Sequence, residues 1–254
     1  MSARCRSVHP PRWPRPRRSR VSVARARDSL RKRVKSIVAT TSGSGAHKGS
    51  LAREKSGARL ASGGQLRIIG GQFRGRRLPI LNQSGLRPTG DRTRETLFNW
   101  LSPILTGSRC LDCFAGAGGL GFEAASRGAS KVAMIERGSA AARQLQHNAA
   151  LLKADTVSVI MADAVRWLAD QPVQPFDIVF LDPPFTLGLL ATACGLLQQR
   201  GWVAVGSVIY LEADARDGFP PLPTGWTLTR DKRAGQVRYG LVEVRGDSEE
   251  ALGG

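Results

Sequence analysis

Cys110-Leu111-Asp112-Cys113-Phe114-Ala115-Gly116-Ala117-Gly118-Gly119-Leu120-Gly121 reads as a short apolar strand running into a glycine-rich turn and then a helix. Gly116–Gly121 matches G-x-G-x-x-G, a turn whose backbone must approach a ligand where side chains would block it. Outward from this stretch, strand and helix alternate. Strand patterns fall at 110–114, 131–135, 156–160, 177–181 and 203–211, with helices near 119–127, 139–152, 163–169 and 187–199. Leu145, Ala149 and Leu152 form one helical stripe, and Gly128 and Gly201 stand where helices should stop. Trp226–Asp231 and Val237–Val244 read as a closing hairpin around Lys232-Arg233-Ala234-Gly235. The pattern predicts an α/β fold: a doubly wound, seven-stranded, Rossmann-like sheet.

Upstream, Leu66-Arg67-Ile68-Ile69 and Arg76-Arg77-Leu78-Pro79-Ile80 flank Gly70–Gly75, which predicts a small β-hairpin with basic residues at its tip. Leu86-Arg87-Pro88-Thr89-Gly90 is a turn, and Asp91 is expected to cap the next helix, whose apolar face is Leu97, Phe98 and Leu101.

The chain has 254 residues and a formal net charge of +18. Residues 1–62 hold 17 Lys/Arg against 2 Asp/Glu, a net of +15, which leaves 21 against 18 beyond them, a net of +3. The extreme basicity therefore belongs to the N-terminal segment. Rich in Arg, Ser, Pro and Gly, residues 1–62 read as a disordered basic extension ahead of a domain at 63–254. Within that domain, 63–85 forms the hairpin and 86–245 the core. Three readings of the extension compete: a tail or a translation start placed too far upstream, a basic arm that adds RNA affinity, and an organellar transit peptide. The sequence shows no membrane-spanning apolar run and no metal-ligand pattern. Cys110 and Cys113 read as small apolar residues around a strand, the alternative being redox or metal work. A cytoplasmic monomer is expected.

The glycine turn implies a nucleoside-type cofactor. Glu136 ends the next strand, where a carboxylate accepts both ribose hydroxyls of an adenosine. NAD and S-adenosyl-L-methionine (SAM) share that adenosine. Three features favour SAM. Asp112, four residues before Gly116, suits a cationic methionine end and disfavours a pyrophosphate. Asp163-Ala164 follows the third strand, where adenine would sit, although Asp163 also reads as a helix N-cap. Asp182-Pro183-Pro184-Phe185 has no role in hydride transfer. Cofactor-binding candidates are thus Asp112, Phe114, Gly116, Gly118, Glu136, Asp163 and Ala164.

Asp182-Pro183-Pro184-Phe185 reads as the catalytic corner. An exocyclic amine on a nucleobase is a poor nucleophile because its lone pair is delocalised into the ring. Acceptors for its N–H groups, here Asp182 and the Pro183 carbonyl, draw the nitrogen toward a tetrahedral shape. Two prolines fix that carbonyl, and Phe185 offers a stacking face. Such a base must be flipped out or unpaired. Arg67, Arg74, Arg76, Arg77, Arg87, Arg92 and Arg94 are candidates for tracking its phosphate backbone.

From about Leu66 to Arg245 the chain resembles the bacterial 16S ribosomal RNA guanine-N2 methyltransferases. The resemblance rests on Arg67-Ile68-Ile69-Gly70-Gly71-Gln72-Phe73-Arg74-Gly75-Arg76, Leu86-Arg87-Pro88-Thr89 with Arg92 and Arg94–Leu101, Asp112–Gly118, Asp182–Phe185 and Ala234-Gly235-Gln236-Val237. It implies a SAM donor, methylation of guanine N2, and a substrate in 16S rRNA or an assembling 30S particle. Other readings are methylation of adenine N6 or a protein glutamine, an NAD-dependent oxidoreductase, and a non-catalytic RNA-binding assembly factor.

Overall fold

A computed structural model describes residues 64–81 and 90–246. The extension 1–62, the turn 86–89 and Arg87 lie outside the described residues. The elements in order are β1 (Gln65–Arg67), β2 (Arg77–Pro79), α1 (Asp91–Leu105), β3 (Arg109–Asp112), α2 (Gly119–Ser126), β4 (Lys131–Glu136), α3 (Ser139–Leu152), β5 (Val157–Met161), α4 (Ala164–Asp170), β6 (Ile178–Leu181), α5 (Leu189–Gln199), β7 (Val208–Asp214), β8 (Trp226–Ala234) and β9 (Val237–Val244). A 3-10 turn, Phe185–Leu187, links β6 to α5.

Seven strands form one sheet in the order β5-β4-β3-β6-β7-β9-β8. The first five run parallel, and β9 joins β7 and β8 antiparallel. The chain reverses its direction of travel across the sheet between β3 and β6. A crevice opens at the strand carboxyl ends at such a switch point.

The parallel strands are apolar on both faces because helices cover both, and the period-two alternation splits the core. Cys110, Val132, Met134, Ile178, Phe180 and Tyr210 face α1, α2 and α3 through Leu97, Phe98, Phe122 and Leu145. Leu111, Ala133, Ile135, Val179, Leu181 and Ile209 face α4 and α5 through Leu168, Leu190, Cys194 and Leu197. Cys110 and Cys113 fall on opposite faces, both buried; burial pushes the Cys110 thiol up to about 12 and raises the Cys113 thiol well above its ordinary value. They serve as small apolar residues.

The β1–β2 hairpin forms its own two-stranded sheet and is pinned to α2. Glu123 is fully buried and accepts from the backbone N–H groups of Ile69 (2.9 Å) and Gly70 (2.8 Å) and from Arg127 Nε (2.7 Å). Ser126 adds a hydroxyl bond to the Gly70 carbonyl and accepts from the Phe73 N–H.

Three local expectations are corrected. The fifth strand begins at Val208, not 203, and continues to Asp214. Residues 203–206 form a turn instead, with Trp202 tucked under the sheet and its indole N–H donating to the Leu168 carbonyl. The closing hairpin is tighter than predicted: Lys232 and Arg233 lie within β8, and Ala234 pairs with Val237 around Gly235-Gln236. Asp91 does not cap α1. Gly90 occupies that position, and Asp91, the first helical residue, pairs with Arg94 at 2.6 Å.

Candidate active site

The carboxyl ends of β3, β4, β6 and β7 open onto a cleft of about 920 Å³. It collects Asp112, Phe114, Gly116, Glu136, Asp163 and Ala164 on one side and Asp182–Phe185 on the other. Residues far apart in sequence meet there because parallel strands deliver their C-terminal ends to one edge.

The glycine turn supports the cofactor side. Gly118 holds φ +84°, and a Cβ there would stand 2.5 Å from the Phe122 ring of α2 and 2.7 Å from Leu145 of α3, so only glycine fits where α2 begins against α3. Gly118 is thus a packing residue behind the turn, while Gly116 lines the cleft. Glu136 accepts from the N–H groups of Gly116 (3.0 Å) and Gly138 (2.6 Å), which fixes its carboxylate at the end of β4. Asp163 is the N-cap of α4, accepting from the Arg166 N–H at 3.1 Å, and it lines the cleft as well.

Asp112 is buried and accepts from the Gly121 N–H at 3.0 Å. Burial, then the charge of Asp182, push its carboxyl up to about 7, against the pull of the Gly121 and Phe114 backbone bonds. Burial and Asp182 likewise push Glu212, on β7, up to about 8. The cleft therefore resists gathering further negative charge, which a cationic ligand relieves and a pyrophosphate aggravates. That property fits a sulfonium donor: Asp112 would face its cationic amino-acid end, Glu136 its ribose and Asp163-Ala164 its base.

This gives a pH prediction. Below about 7 Asp112 holds a proton in the free protein, and a cation must displace it. Donor affinity is expected to rise with pH from 6 to 7.5 and then level off, read by calorimetry, and Asp112→Asn should flatten the slope. Folding stability runs the other way. The raised folded value keeps the proton on where the unfolded chain, at 3.8, has lost it, so that stabilisation is lost as pH climbs toward 7.

On the acceptor side Pro183 is buried, while Pro184 and Phe185 are exposed at the mouth, Phe185 by 38%. Five of the predicted arginines are exposed: Arg67, Arg74, Arg76, Arg77 and Arg92. Arg76 also donates to the Leu151 carbonyl at 3.1 Å. Arg94 is a correction. It is 1% exposed, donates to the Arg67 carbonyl (2.9 Å) and Asp91, and lies 4.0 Å from Glu123, so it braces the hairpin and is out of reach of phosphates. The sequence reading missed Glu212, Asp214 and, as cleft lining, the Ala234–Val237 turn. Glu212 lies inside β7, two residues before its end, where no local pattern marks it.

A seven-stranded doubly wound sheet with an antiparallel end and an acid-lined cleft at its switch point defines the class of the doubly wound methyltransferases. Comparison with known proteins narrows it. Residues 66–243 match the family model described as Conserved hypothetical protein 95. Ribosomal RNA small subunit methyltransferase D of Escherichia coli is 50% identical over 188 residues, 73% of this chain and 94% of that protein. Its Haemophilus influenzae counterpart is 46% identical over 183 residues, 71% of this chain and 94% of that protein. The solved structure of yhhF from Escherichia coli is 48% identical with a TM-score of 0.67, covering 72% of this chain and 99% of that one. The chain belongs to the ribosomal RNA small subunit methyltransferase D family, and it is a methyltransferase.

Proposed function

We propose that the protein transfers a methyl group from SAM to the exocyclic N2 of one guanine in 16S rRNA within an assembling small subunit. The carrying observation is the placement of Asp182-Pro183-Pro184-Phe185 at the end of β6, one strand from Asp112 and across the switch point. In this reading 63–254 is the catalytic domain, acting as a cytoplasmic monomer. Among the described residues no helix is long and apolar enough to cross a membrane.

SAM, when bound, supplies an electrophilic methyl on a sulfonium. The chain's own residues prepare the nucleophile. Asp182 and the Pro183 carbonyl accept the two amine hydrogens, which frees the N2 lone pair from the ring. Pro184 holds the corner rigid, so little reorganisation accompanies the reaction. Phe185, already exposed at the mouth, stacks on the extruded base, a contact worth about 1–3 kcal/mol in other nucleic-acid sites. Asp182 takes the proton that N2 releases. The Gly116 turn and Glu136 hold the donor so that methyl and amine meet in line.

Arg67, Arg74, Arg76, Arg77 and Arg92 are the phosphate contacts of this reading, with Arg87 joining them by resemblance alone. Arg74→Ala and Arg77→Ala are each expected to lower the slope of log affinity against log salt by about 0.7–0.9, leaving turnover at saturating RNA unchanged. Titration at several salt concentrations measures it.

The functional proposal is tested by offering methyl-labelled SAM with unmodified small subunits, naked 16S rRNA or DNA. Label on the ribosomal substrates is expected; label on DNA, or on protein, overturns it.

A further inference from the structure

The acceptor side of the cleft holds a carboxyl that this chemistry does not use. The β6–β7 pairs Phe180–Tyr210 and Leu181–Leu211 carry the register forward to Asp182 beside Glu212. Tyr210 and Glu212 share one sheet face, and Tyr210 Oη donates to Glu212 Oε2 at 2.6 Å. Tyr239 stands opposite Glu212 on β9. Glu212 is only 6% exposed yet lines the cleft. Along the sheet the strand ends therefore present Asp112, Asp182 and Glu212 in that order, with Glu212 farthest from the glycine turn.

We propose that Glu212 selects guanine, its neutral carboxyl donating through Oε1–H to guanine O6 and accepting at Oε2 from N1–H while Asp182 holds N2. This rests on the guanine-N2 reading above. Once Asp182 takes the amine, the rest of guanine's pairing edge is an acceptor beside a donor, as in an amide. A neutral carboxylic acid matches that pair. Adenine and cytosine place a ring acceptor beside their exocyclic amine and do not.

The surroundings keep the acid neutral. Burial, then the charge of Asp182, hold the Glu212 proton on to about 8, against the pull of the Tyr210 bond. Burial pushes the Tyr210 hydroxyl well up too, so it stays a donor. The titratable groups that face Glu212 are Asp182 beyond β6, Tyr210 on its own strand and Tyr239 on β9. From α1, Phe98 packs on Phe180 and Trp100 on Tyr239, with Lys232 of β8 lying 5.5 Å over the Trp100 ring.

The test compares kcat/KM on small subunits reconstituted with guanine or 2-aminopurine at the target, for wild type, Glu212→Gln and Glu212→Ala. 2-Aminopurine keeps the amine but lacks O6 and N1–H. Wild type is expected to favour guanine by about 10–100-fold. Glutamine, which presents the same donor and acceptor, should keep that preference, and alanine should reduce it to a few-fold. Wild-type kcat/KM on guanine should fall above pH about 8 as Glu212 ionises, while the glutamine variant stays flat. An unchanged preference in the alanine variant, or an alkaline fall that survives in the glutamine variant, overturns the inference alone. If the alanine variant does not fold, the glutamine pH profile decides. Wild type that leaves guanine N2 unmethylated overturns the functional reading along with it.

Discussion

Asp182→Ala is expected to lower methyl transfer by about 10²–10³-fold, the usual cost of losing one preorganised hydrogen-bonding group at a reacting centre. Its SAM affinity should stay within a few-fold of wild type, because Asp182 lies on the acceptor side and Asp112 on the donor side. The fold should tolerate the change. Asp182 raises the carboxyls of both Asp112 and Glu212, so its removal relieves repulsion. Single-turnover kinetics and calorimetric SAM binding on the same protein separate the two effects. Loss of SAM binding together with turnover would contradict the role assigned to Asp182.

Glu123→Ala should produce the largest loss of stability. The carboxylate is completely buried and is the common acceptor for Ile69, Gly70 and Arg127, with Arg94 4.0 Å away. Its removal strands two backbone donors and leaves the buried Arg94 and part-buried Arg127 without their shared anion. Breaking such a buried pair costs about 3–5 kcal/mol, a fall in Tm of about 6–20 °C for a domain of this size. Thermal and urea unfolding measure it, and a loss below about 1 kcal/mol would show that the hairpin docks by apolar contact alone. The consequence reaches function, since the same hairpin carries Arg67, Arg74, Arg76 and Arg77.

What could be read in the sequence was set by backbone chemistry. Asp112–Gly121 and Asp182–Phe185 are strand-end corners, where glycine and proline are needed for conformations other residues resist. Such needs leave local marks, so both sides of the cleft were legible. The sheet was legible because buried parallel strands are apolar on both faces. Roles created by tertiary burial were not. Arg94 looks like any arginine on an amphipathic helix, and only the packing of β1–β2 on α2 makes it an internal brace. Glu123 sits in Phe122-Glu123-Ala124 as an ordinary helical acid until the hairpin lands on it. Trp202-Val203 carries strand-like residues but spends them packing a turn, which moved the start of β7. Glu212 becomes a cleft residue only through a register that no local pattern specifies.

The chemical identity of the product is the most direct test of guanine-N2 methylation by this protein. Unmodified small subunits incubated with methyl-labelled SAM and the purified protein, then digested to nucleosides, should yield the label as N2-methylguanosine. Label in N6-methyladenosine, or in guanosine methylated on a ring nitrogen, would contradict the amine-gripping role of Asp182-Pro183-Pro184-Phe185 toward guanine.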